Sequence, residues 1–233
     1  IPHCTPKCRH YPPHKPIPPD HPLYPLLRHG YHAAACGCSH LRHARHDAMA
    51  RLVAATAHSE TGAHTTTATR LASSSTSGTK TDIVVESFEL DPPITTIDVT
   101  ISCPLLPSYV AAAARDSSAI FTSRATEKEG KHLPGCIDAG RAYLSLVGTT
   151  LLSFGPAATR EWLDSLFRPS FARELASGGT GYLTTRRRLD FLHRLQSTLV
   201  RTTSTMITTH TPTPSPTPQP PPPAPSPLPP RPT

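Results

Sequence analysis

The chain has 233 residues, of which 29 are proline and only 36% are hydrophobic, a composition that argues against one tight globule over the whole length. Nine prolines fall in residues 1–25 and 13 in residues 211–233, leaving seven in the 185 residues between, a stretch that one domain of ordinary size would fill. A net charge of +7 points to an anionic partner, nucleic acid first. No apolar run of about 18 residues occurs, which excludes a membrane-spanning helix.

The chain opens Ile1-Pro2-His3, without an initiator Met or a signal-like apolar core, as expected of a fragment or a processed product. Residues 1–30 are rich in Pro and His and bury little unless stapled. Eleven of 14 histidines precede residue 65, and four of the six cysteines (Cys4, Cys8, Cys36 and Cys38) share that stretch. Cys mixed with His at short spacing favours metal over disulfides and, with no secretory signal, a reducing compartment.

Residues 43–60 carry Met49, Leu52, Val53 and Ala57 at helical spacing. Residues 61–81, rich in Thr, Ser and Gly, read as a loop. A strand begins at Ile83-Val84-Val85 and the turn Asp91-Pro92-Pro93 follows it. A second strand, Ile94 to Cys103, sets Ile97, Val99 and Ile101 on one face and Asp98, Thr100 and Ser102 on the other. Residues 108–132 are helix-prone, and Tyr143 to Phe154 reads as a strand interrupted near Gly148. Pro156 suits the first turn of a helix whose buried stripe is Trp162, Leu163, Leu166 and Phe167. Residues 182–203 form a last helix with Leu189, Leu192, Leu195 and Leu199 as its apolar face; the tail after Thr208 is extended and solvated. Three segments result: a Pro/His-rich stretch over 1–40, an α/β core over 41–205, and a disordered Pro/Thr-rich tail over 206–233.

Two constellations could carry chemistry. Cys4-x3-Cys8 followed by His32-x3-Cys36 supplies two close pairs of the ligands that Zn²⁺ takes, across a 23-residue spacer, with Cys38, His40 and His43 as competing ligands. Zinc binding would also explain how so apolar-poor a segment becomes ordered. The second is Asp82 and Asp98 on neighbouring strands with Lys128 on the following helix, a set that suits Mg²⁺ and activation of a bound water.

Taken in order, these motifs resemble the C-terminal region of non-long-terminal-repeat retrotransposon polyproteins, where a Cys-Cys-His-Cys zinc motif precedes a restriction-like endonuclease domain. The matching residues are Gly30 to Cys36, Arg45-His46-Asp47, Thr81-Asp82-Ile83-Val84, Thr96-Ile97-Asp98-Val99-Thr100, Lys128 to His132, and Phe154-Gly155-Pro156, within residues 4–200. The chain departs from the family pattern at Thr81 (usually Pro), at His132 (usually Tyr), in the first Cys pair and its long spacer, and at Thr100, where many restriction-like nucleases carry a lysine.

The resemblance implies an α/β, restriction-endonuclease-like (PD-(D/E)xK) core with a small mixed sheet flanked by helices. Its active-site set would be Asp82, Asp98 and Lys128, with Lys131 the rival lysine, and its cofactors Mg²⁺ or Mn²⁺ plus Zn²⁺ held by Cys4, Cys8, His32 and Cys36. Such a site nicks target DNA to prime reverse transcription in the nucleus. Arg45-His46-Asp47 would line the active-site cleft or contact nucleic acid through Arg45 and His46, and Arg186-Arg187-Arg188 are candidates to contact DNA or the element's RNA. The polymerase's adjacent aspartate pair has no counterpart here, so the reverse transcriptase portion of the parent polyprotein becomes an expected partner, and the chain reads as a separated or decayed piece of an element. The alternatives are a catalytically inactive nucleic-acid-binding remnant and a non-enzymatic Pro-rich structural fragment.

Overall fold

The computed structural model describes residues 20, 40–67, 80–104, 107–116, 118–150 and 153–210. The expected zinc ligands Cys4, Cys8, His32 and Cys36, and the tail from residue 211 onward, lie outside the described residues.

Helix α1 (His40–Thr61) buries Met49, Val53 and Ala57, one turn apart on one face. It ends where Gly62 takes φ 67 and donates its N–H to the His58 carbonyl at 2.9 Å, a left-handed closure that glycine adopts without a Cβ penalty. Strand β1 (His64–Thr67) then pairs antiparallel with β2 (Ile83–Glu86), and β2 pairs antiparallel with β3 (Ile94–Ser102). Helices α2 (Pro107–Arg115) and α3 (Ala119–Asp138) carry the chain to β4 (Ala142–Thr149), which lies parallel to β3, an arrangement that requires a long crossover. The two-residue β5 (Phe154–Gly155) closes the sheet against β4. Helices α4 (Ala157–Ser165), α5 (Arg168–Ala176) and α6 (Tyr182–His210) complete an α/β fold built on a small mixed five-stranded sheet in the order β1-β2-β3-β4-β5.

The two faces of the sheet differ in chemistry. Ile83, Val85, Ile97, Val99 and Leu146 meet Met49 and Val53 of α1, Trp162 and Leu163 of α4, and Phe191, Leu195 and Leu199 of α6 in one apolar core. On the opposite face Arg124 of α3 donates to Ser102 of β3, and Lys128 of α3 reaches Asp98. The alternation read from β3 is therefore real, but its polar face is not solvated: Asp98 and Ser102 are buried. No helix among the described residues is long and apolar enough to cross a membrane.

The structure corrects several expectations. The loop expected over 61–81 contains β1, an all-polar edge strand without hydrophobic alternation. The interruption expected near Gly148 falls one residue later, where β4 ends at Thr149 before β5 begins; a Cβ at Gly148 would sit 3.1 Å from both Ile101 and Phe154, so the glycine makes room for its neighbours. Leu166 and Phe167 are buried in a turn between α4 and α5, not on one continuous helix. Leu189 is exposed on α6, and Phe191 takes the core position one turn before Leu195. Helix α6 also continues to His210, past the expected boundary at 205. Trp162 is buried, as its place in the expected stripe implies, and so are Cys103 and Cys136.

Candidate active site

The β2–β3 register pairs Ile83 with Ile97, so one step outward brings Asp82 level with Asp98. Asp82 precedes β2, and its Oδ2 accepts the Val99 N–H at 2.7 Å and lies 2.9 Å from Nε2 of His46 on α1. The other ring nitrogen of His46 lies 3.0 Å from Oδ1 of Asp47. Asp98, 5% exposed, has Lys128 Nζ 2.8 Å from its Oδ2 and Thr100 Oγ1 donating to the same oxygen at 3.4 Å. One helical turn beyond Lys128, His132 lies buried with Nε2 3.5 Å from Asp98 Oδ1, and its ring stacks on Tyr143 at a centroid separation of 5.8 Å.

The cluster is electrostatically paired. Burial alone would push the Asp82 carboxyl up; the His46 hydrogen bond and charge and the Val99 N–H outweigh it and hold the group below its ordinary value. The hydrogen bond to Asp82 pushes His46 up to about 9 against the opposing effect of burial, so its imidazolium persists at neutral pH. Burial lowers His132 against the opposing charge of Asp98, with the charges of Lys128 and Lys131 adding to the lowering, which favours the neutral ring. Burial likewise raises Tyr143, reinforced by the charge of Asp98.

His46, Asp82, Asp98, Lys128 and His132 line a cleft of about 600 Å³ whose rim carries Arg42, Arg51, Lys80, Arg124 and Lys131. Arg124 is paired with Glu127 and lies over the Tyr109 ring. Lys131 lines the cleft but has no ion-pair partner among the described residues, whereas Lys128 is the lysine seated on an acid. The two rivals of the sequence reading thus occupy different environments.

The donor set suits Mg²⁺. Asp82 Oδ1 accepts no hydrogen bond among the described residues, and Asp98 Oδ1 has only His132 beside it. A small hard cation that keeps several waters needs only one or two carboxylates. No group of three His, Cys, Asp or Glu residues placed to hold a metal occurs among the described residues.

Other expected nucleic-acid residues sit elsewhere. Arg45 is buried against α6, with Nη1 donating to Thr203 Oγ1 at 3.3 Å, and burial brings its guanidinium down to about 10. Arg187 pairs with Glu60 at 3.0 Å and Arg188 with Asp164 at 2.7 Å, while Arg186 lies 3.7 Å from Asp190 along α6. None of these four lines the cleft. Glu60, near the end of α1, is buried beneath Arg187. The sequence reading missed Arg42, Arg51, Lys80 and Arg124. A basic residue flanking each acidic motif was the available signal, and it is weak.

No family model matches the sequence, and no curated protein matches it.

Proposed function

We propose that this chain is a metal-dependent DNA endonuclease domain with a restriction-like core, of the kind that accompanies the reverse transcriptase of non-long-terminal-repeat retrotransposons. The observation that carries this reading is the seating of Lys128 on Asp98, level with Asp82, inside a cleft with a basic rim. The small mixed sheet with its helices agrees with the architecture the resemblance implies and supports the reading.

Asp82 and Asp98 would hold Mg²⁺ or Mn²⁺, which supplies a water of lowered pKa and offsets charge on the phosphate under attack. The chain's own groups do the rest. Lys128 places a fixed cation beside Asp98, where negative charge grows on the phosphate. The His46 imidazolium and the Val99 N–H hold Asp82 through Oδ2, and Oδ1 accepts no hydrogen bond among the described residues. Neutral His132, held flat against Tyr143, fills the space behind Asp98 and limits its rotation. Arg42, Arg51, Lys80 and Lys131 hold neighbouring phosphates. The proposed zinc set of Cys4, Cys8, His32 and Cys36 would add affinity for nucleic acid.

The test is nicking of supercoiled plasmid in Mg²⁺ or Mn²⁺ with Asp82→Ala alongside wild type. The proposal expects metal-dependent nicking that the substitution abolishes; equal nicking by both proteins would overturn the assignment.

A second reading, an inactive domain that only binds, is favoured by one observation: each acid already has a cationic partner without metal, His46 on Asp82 and Lys128 on Asp98. It expects salt-dependent DNA binding with no nicking in any metal.

A further inference from the structure

Helix α6 packs along α1, and between them runs a second groove of about 410 Å³. Its floor is low because α1 presents Ala48 and Ala55 there, and Thr198 of α6 contributes a hydroxyl. Three arginines stand on it: Arg51 from α1, and Arg194 and Arg201 from α6, one on each side of Thr198. All three are exposed, and none has an ion-pair partner among the described residues. The contrast is with Arg186, Arg187 and Arg188 on the same helix, each of which has an internal carboxylate. Arginine is the side chain best matched to phosphate oxygens, through its fork of N–H donors. Arg51 lines both this groove and the basic rim of the cleft that holds Asp82 and Asp98, so the two positive surfaces form one track.

We infer that the α1–α6 groove is a second phosphate-binding surface, which grips the backbone of duplex DNA flanking the point of cleavage, with Arg194 and Arg201 as its contacts and Arg51 as the link to the cleft. The inference rests on the endonuclease reading and names a surface outside the reacting centre. Such contacts position the duplex without reading bases.

The test measures binding of a fluorescent DNA duplex across a salt series, with Ca²⁺ in place of Mg²⁺, for wild type, Arg194→Gln, Arg201→Gln, the double variant, and Arg186→Gln as the control. Each lost phosphate contact should flatten the slope of log affinity against log salt by about 0.9, hence about 1.8 for the double variant. The control slope should not change. A double-variant slope equal to wild type overturns the inference, as does a change seen with single-stranded RNA and not with duplex DNA. Because all three positions are exposed, the variants should melt with wild type, and the two single variants give the answer should the double variant fold poorly. Failure of the nuclease reading is distinguishable: it appears as absent nicking while these slopes still change, whereas failure of the groove leaves nicking intact and the slopes equal.

Discussion

At the scale of single residues, the account turns on two lysines three positions apart on α3. Lys128 is 23% exposed and 2.8 Å from Asp98, whereas Lys131 faces the open cleft. Lys128→Ala should lower the single-turnover nicking rate by about 10²-fold or more, because it removes a positive charge from beside the reacting phosphate. Lys131→Ala should weaken DNA binding in a salt-dependent way and leave the rate at saturating DNA near wild type. The reverse pattern would make Lys131 the catalytic lysine. The sequence alone could not separate them, since residues three apart share a helix face and only the tilt of α3 over β3 decides which one reaches the acid. Asp98, by contrast, was legible from the alternation of β3, because a carboxylate flanked by inward-facing Ile97 and Val99 has to lie on the opposite face. His46 was legible as a residue beside the site or on DNA, but its partner Asp82 was not, since 36 residues separate them and the contact exists only once α1 docks on the sheet.

At the scale of elements, the junction between α5 and α6 shows how one side chain sets a helix start. Glu174 accepts the N–H groups of Leu183 and Thr184 at 3.1 and 2.8 Å and the Thr184 hydroxyl at 2.8 Å, which satisfies donors that the first turn of α6 leaves free. Its carboxyl is held below its ordinary value: desolvation opposes this, and the Thr184 hydroxyl and the two N–H donors outweigh it. The sign follows from linkage. A carboxyl depressed in the folded state adds stability that is present above its unfolded value near 4.5 and is lost as pH falls through the lower folded value. Glu174→Gln should therefore lower Tm at pH 7 and bring the variant close to wild type at low pH, read by thermal melts across that range; a constant gap at every pH would contradict the capping role. Both α5 and β1 escaped the sequence reading for related reasons. Helix α5 is nine residues long and buries little of itself, and β1 is held by backbone pairing at a sheet edge, so neither leaves a hydrophobic period to detect.

At the scale of the whole molecule, the helix that brings His46 to the cleft, α1, is anchored by the apolar core. Phe191, Leu195 and Leu199 of α6 pack with Met49 and Val53 of α1, so α6 fixes the helix that carries His46. Leu195→Ala should cost about 2–5 kcal/mol in denaturant unfolding, by lost burial plus a residual cavity, with one cooperative transition retained. A cost below about 1 kcal/mol would mean that the α1–α6 seam is not part of the core. The mixed α/β architecture was legible because the strand and helix periods differ and the middle segment is poor in proline. The burial of Glu60 under Arg187 was not, since 127 residues separate the partners and only the packed fold brings them together.

The most direct measurement of the central claim is plasmid nicking by wild type and Asp98→Ala in Mg²⁺, with a chelated sample beside them and DNA binding followed in parallel. Wild type should nick only with the metal, and Asp98→Ala should lose nicking without losing salt-dependent binding. Metal-dependent nicking that persists in Asp98→Ala would contradict it, because the carboxylate seated under Lys128 would then have no part in the chemistry.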